Sequence, residues 1–139
     1  MMMLMSIVIF SGCKKKEGCM DRNSYTYDSD AEVDDGSCQY KGSIVFYYDK
    51  STADSMYEWG ITSLTFYVDN ELVGSSAATV YAVYPPNCGD NGSVTYDKDL
   101  GSLDHKISTY QVLDQDGYEV FSGLIEFNGN VCAKGHLIW

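Results

Sequence analysis

From residue 42 onward, apolar side chains return at every second position, a period that a pleated strand satisfies and a helix does not. In the stretch 43–49, Ile44, Phe46 and Tyr48 fall on one face. In 64–68, Leu64, Phe66 and Val68 alternate with Thr65 and Tyr67. Asp69-Asn70 supplies a turn into the stretch 71–74. Further strands are expected at 79–84, 93–96 and 106–113. Asp114-Gln115-Asp116-Gly117 then turns into 118–127, and Asn128-Gly129 into 130–138. The pattern predicts about seven or eight short strands. The only place for a helix is a brief turn within 51–59.

Twelve tyrosines and many Val, Ile and Thr residues favour the same class. The expected fold is all-β: an antiparallel immunoglobulin-like or prealbumin-like β-sandwich over residues 41–139. A core of that size is small and gains from covalent staples. The charge is −11, from 20 acidic against 9 basic side chains. A surface so acidic repels phosphate backbones, so nucleic acid is not an expected partner.

The first ten residues are apolar apart from Ser6, too short for the ~20 residues that span a bilayer. They have the length of a signal-peptide apolar region and end at small residues. Phe10-Ser11-Gly12-Cys13 resembles the lipobox of bacterial lipoproteins, with phenylalanine in place of the commoner leucine. No Lys or Arg precedes the apolar run. The resemblance implies a signal peptide over 1–12, cleavage after Gly12, and diacylglyceryl and acyl groups on Cys13. Several acyl chains, at ~0.8 kcal/mol per buried methylene, anchor stably where one would be marginal. Residues 13–17 then form a lipidated tether, and Lys14, Lys15 and Lys16 can meet anionic headgroups. Lysine after the cysteine implies, by the same resemblance, the outer membrane, on either its periplasmic or its surface face. Cysteine parity agrees: five cysteines less a lipidated Cys13 leave four, enough for two bridges in an oxidising compartment.

Residues 18–40 read as a dense loop, with six acids against one base between Gly18 and Cys38. Gly18-Cys19, Asp21 and the run Asp34-Asp35-Gly36-Ser37-Cys38 resemble a short cysteine-bounded repeat of secreted and surface proteins from Bacteroidota and marine bacteria. Arg22 and Ser29 stand where that repeat usually has proline. A Cys19–Cys38 bridge would close about 20 residues and contribute roughly 3 kcal/mol in the chain-entropy model. Cys88 follows Pro85-Pro86, and Cys132 lies in the last expected strand. Their bridge would close about 45 residues, worth roughly 4 kcal/mol. The acidic segment is either a solvated cluster of turns or an oxygen cage for calcium built from Asp21, Asn23, Asp28, Asp30, Asp34 and Asp35. Val33 stands where an EF-hand needs glycine, so that motif is excluded.

No phosphate loop, dinucleotide fingerprint or nucleophile elbow occurs, and neither His105 nor His136 has metal-ligand spacing. An enzyme is not expected. Tyr47, Tyr57, Trp59, Tyr67, Tyr81 and Tyr84 could form an aromatic platform for a glycan or protein ligand. The expected function is a non-catalytic envelope lipoprotein used for binding or structure. Its alternatives are a glycan-active enzyme or accessory subunit, and a calcium-dependent spacer or adhesion module.

Overall fold

The computed structural model describes residues 14–139. Cys13 and everything before it lie outside the described residues. Two short strands, β1 (Glu17–Gly18) and β2 (Val33–Asp34), pair in parallel near the start. The chain continues through β3 (Tyr40–Tyr48), α1 (Lys50–Glu58), β4 (Ser63–Val68), β5 (Glu71–Ala77), β6 (Val94–Gly101), β7 (His105–Leu113), β8 (Glu119–Asn128) and β9 (Cys132–Leu137). The all-β expectation holds, with one short helix.

The long strands form two sheets, ordered β6-β3-β9 and β5-β4-β7-β8. All pairings within them are antiparallel except β3 with β9. An immunoglobulin sheet joins the first, second, fourth and fifth strands. Here the first, fourth and seventh long strands share a sheet, an order that differs from the immunoglobulin one.

The period-two pattern builds the core between the sheets. Ile44, Phe46 and Tyr48 face Leu64, Phe66, Val68, Val112, Ile125 and Phe127, all buried. The Phe46 and Phe66 ring centroids are 5.3 Å apart. Each such side chain removed from water contributes roughly 1.5–3 kcal/mol. Gly135 lies beside Phe46 in the parallel pair, and a Cβ there would come within 2.8 Å of the Phe46 ring.

Three expectations are corrected. First, 50–58 is a full α-helix. Asp49 caps it by accepting from the Thr52 N–H at 2.9 Å, and Lys50 pairs with Asp54 one turn on. Only Thr52, Ala53 and Met56 are buried along it, so its apolar face is too thin to stand out in the sequence. Second, 79–84 is not a strand. β5 ends in one sheet and β6 begins in the other, so the connecting chain 78–93 must cross between layers. The Ala82 N–H donates to the Tyr48 carbonyl at 2.8 Å instead of to a ladder. Third, β6 runs to Gly101 rather than stopping near Tyr96. Its second half alternates Asp97 and Asp99, both exposed, with Lys98, whose side chain is only 11% exposed.

Loop 78–93 also folds over the outer face of the three-stranded sheet. The Cys88–Cys132 disulfide holds it there, aided by the Gly89 N–H to Thr95 Oγ1 bond at 2.9 Å and by Lys134 Nζ donating to the Pro86 carbonyl. Val45 points to that outer face, yet is fully buried. The Cys19–Cys38 disulfide closes the N-terminal segment, as expected from the repeat.

Candidate functional site

The strand directions give the sandwich two distinct ends. At one end lie the start of β3, the β6–β7 turn and the β8–β9 turn, where the Gly129 N–H donates to the Asp104 carbonyl at 2.8 Å. The N-terminal segment is knitted to this end. Ser24 Oγ donates to the Gln39 carbonyl at 2.7 Å, and the Tyr25 N–H to the same carbonyl at 3.0 Å. The Tyr40 hydroxyl donates to Asp21 Oδ2 at 2.7 Å, and that carboxylate lifts the phenol pKa to about 12. The Asn23 N–H and then the Tyr40 hydroxyl hold the Asp21 carboxyl below its usual range. At the opposite end lie α1, loop 78–93, the β7–β8 turn and Trp139. The nine residues of β3 separate the two ends by roughly 30 Å.

Five of the six proposed platform residues gather at this second end, in two groups. Tyr47, on the outer face of β3, stacks on His136 of β9 with centroids 4.6 Å apart. Tyr47 and Tyr81 share a cavity of about 140 Å³ with Phe46, Phe66, Asn91 and Val94. Tyr84 projects from the same loop and is 81% exposed. The other group surrounds the end of α1. Trp59 is 74% exposed and lies 6.2 Å from the Trp139 ring, which meets Phe121 edge-on at 6.0 Å. Tyr57 is also exposed, two residues before Trp59 on the helix. Tyr67 stands apart, on the outer face of the four-stranded sheet between Leu72 and Gln111. Trp139 and Phe121 were not expected in this group, because Trp59, Phe121 and Trp139 are distant from one another in the chain.

A second concavity was not anticipated. On the outer face of the three-stranded sheet, a hollow of about 690 Å³ is lined by Tyr25, Lys41, Ser43, Asp97, Asp99 and Asn130, with Cys132 at its rim. Tyr25 comes from the N-terminal segment, and the rest from β3, β6, the β8–β9 turn and the start of β9. The Lys41 ammonium lies 4.7 Å from the Tyr25 ring centroid. Asp97 Oδ1 accepts from Ser43 Oγ at 2.6 Å, and Asp99 Oδ1 from the Gly101 N–H at 2.8 Å. The Lys98 side chain stands on the inner face and pairs with Asp69 of the β4–β5 turn at 3.0 Å. A strand continued past Tyr96 by alternation would have placed Asp97 and Asp99 on one face; the charge of Lys98 concealed that continuation.

The acidic residues of the N-terminal segment are largely engaged. Lys16 Nζ lies 2.8 Å from Asp28 Oδ2 and 3.6 Å from Asp30 Oδ2. That ammonium, then the Asp30 N–H, lowers the Asp28 pKa. Asp34 accepts from the Gly36 N–H at 3.0 Å, and Asp35 from the Ser37 N–H at 2.9 Å. Asp21 accepts from the Asn23 N–H, turning that side chain to a local backbone role. Among the described residues, no three His, Cys, Asp or Glu side chains converge as a metal ion requires. His105 is exposed and bonds Asp104 at 2.7 Å, far from the Tyr47–His136 stack. Among the described residues, no helix is long and apolar enough to cross a membrane. No protein-family model, curated protein or solved structure matches the chain.

Proposed function

We propose that this chain is a non-catalytic outer-membrane lipoprotein, held by lipid on Cys13 and used as a binding module of the cell envelope. The lipobox-like Phe10-Ser11-Gly12-Cys13 and the cysteine-bounded repeat are the sequence support for anchor and compartment. The observation that carries the binding role is the separation of the two ends. The segment after Cys13 packs against one end of the sandwich and carries exposed Tyr25 and Tyr27, while the more exposed Tyr57, Trp59 and Tyr84 lie at the other. A tether leaving at Lys14 therefore leaves Tyr57, Trp59 and Tyr84 facing away from a membrane. Aromatic side chains held on a rigid element are the side chains most suited to anchor a partner, because they bury much area at little conformational cost.

A non-catalytic role is favoured by how the polar groups are used. The Asp104–His105 pair is exposed and has no hydroxyl or thiol within hydrogen-bond reach among the described residues. Asp97 and Asp99 each give one oxygen to the fold itself. The test is binding of the detergent-solubilised protein to isolated envelopes, with Tyr57→Ala and Trp59→Ala combined. Loss of binding at unchanged melting temperature is the expected result. Undiminished binding removes the aromatic end from the recognition surface.

A further inference from the structure

We propose that the hollow between the N-terminal segment and the three-stranded sheet is a saccharide-binding site. This goes beyond the binding-module reading: it is a second site, at the end of the sandwich opposite Tyr57 and Trp59. The hollow's volume of about 690 Å³ lies within the range of small-molecule clefts, about 300–1,000 Å³. The cavity of about 140 Å³ beside Tyr47 falls below that range.

The walls select the chemistry. A ring sugar offers an apolar C–H face and a rim of hydroxyls that both donate and accept. Tyr25 is 54% exposed, and the Lys41 ammonium lies over one face of its ring, so the apolar face of a sugar would meet the ring surface that Lys41 leaves open. Asp97 and Asp99, two residues apart on one strand, stand roughly 7 Å from each other along the outer face. Each has committed Oδ1 to the protein, and Oδ2 has no partner among the described residues. These two oxygens can accept from sugar hydroxyls, while Lys41, paired directly with Asp99 across the ladder, and Asn130 can donate. An anionic ligand is disfavoured by these two carboxylates and by the net charge of −11. A purely apolar ligand would strand those carboxylates without water or partner. A neutral saccharide meets both conditions.

Both disulfides support the shape. Cys19–Cys38 closes the segment that carries Tyr25, and Cys132 of the other bridge forms part of the rim. Pre-organised walls reduce the ordering cost that binding otherwise carries.

The test is calorimetric titration of the detergent-solubilised full-length protein with glucose, galactose, mannose, N-acetylglucosamine and their β-linked disaccharides. Hydrogen–deuterium exchange with and without each sugar accompanies it. At least one sugar is expected to bind with a Kd of about 1 mM or tighter, protecting residues 23–27 and 97–99. Tyr25→Ala and Asp99→Asn should each weaken binding about tenfold or more. The asparagine keeps an oxygen for the Gly101 N–H but puts a donor where the free acceptor stood. Trp59→Ala should leave the affinity unchanged. Saturable binding that Trp59→Ala abolishes and Tyr25→Ala spares overturns the hollow as the site, yet leaves a binding module. No saturable binding to any of these sugars overturns the saccharide assignment itself, and the Cys13 anchor is then judged by fractionation alone.

Discussion

Replacing Cys88 and Cys132 together with serine tests whether loop 78–93 belongs to the folded unit or merely decorates it. The bridge spans a sequence separation of 44 residues. Loop closure of that length removes about 4 kcal/mol of chain entropy from the unfolded state. The size of the loss turns on whether the loop stays docked without its staple. The Ala82 N–H to Tyr48 carbonyl bond, the Gly89 N–H to Thr95 Oγ1 bond and the contacts of Lys134 with Pro86 and Asn87 remain. With the loop docked, the loss is about 4 kcal/mol, a large part of the roughly 5–15 kcal/mol that holds a domain together. If the loop lifts, Val45 is uncovered as well and the loss grows by roughly 2 kcal/mol. Urea unfolding followed by tryptophan fluorescence measures the total. The slope should rise in the variant, because an uncrosslinked unfolded chain exposes more surface. Exchange at the Ala82 and Gly89 amides, which donate from the loop to Tyr48 and Thr95, separates the two cases. A loss below about 1 kcal/mol, with both amides still protected, would refute the entropic reasoning.

The same packing predicts three further outcomes. Burial alone would raise the Asp69 carboxyl, but Lys98 and the Thr109 N–H outweigh it and hold the pKa at about 2, below the ordinary 3.8. The stability linked to that depression is present above about pH 4 and disappears as pH falls through 2. Asp69 is 37% exposed, so screening reduces its contribution to roughly 1 kcal/mol. Lys98→Met should flatten that part of an acid titration of the melting temperature, and an unchanged acid slope counts against the pair. Gly135→Ala should cost roughly 1–3 kcal/mol in urea unfolding, since the added methyl meets Phe46 at 2.8 Å and Ile44 at 3.1 Å. No loss there means the parallel β3–β9 pair is not packed as described. Calcium should leave the melting temperature unchanged, because Lys16 already occupies the space between Asp28 and Asp30; a calcium-dependent rise in the midpoint refutes this.

The alternation of Ile44, Phe46 and Tyr48, and of Leu64, Phe66 and Val68, was enough to foresee both sheets, because each strand hides one face. Asp69-Asn70 was equally legible: both residues adopt positive φ, 48° and 66°, as a tight hairpin turn asks of such side chains. The two disulfides were foreseen from cysteine parity and the cysteine-bounded repeat. The elements that escaped notice did so for physical reasons. Helix α1 buries too little to show a period, and its stability comes from the Asp49 cap and from docking on the sandwich end. The stretch 79–84 carries strand-forming residues but is used in the crossing from β5 to β6, where its Ala82 N–H bonds the Tyr48 carbonyl at the end of β3. Lys98 sits on a buried face that a sequence pattern assigns to apolar residues, and only its partner Asp69, far away in the chain, explains it. The hollow was hidden for the same reason: Tyr25, Lys41, Asp97 and Asn130 meet only after separate segments have folded together.

The proposed lipid on Cys13 is tested most directly by intact-mass analysis of the membrane-extracted protein, together with fractionation of cells expressing Cys13→Ser. The expected result is a chain that begins at Cys13 with the added mass of its acyl groups, and a variant that is no longer retained by the lipid anchor. A mass matching the unmodified chain, or a Cys13→Ser protein processed and membrane-bound like the original, would contradict the anchor and the orientation built upon it.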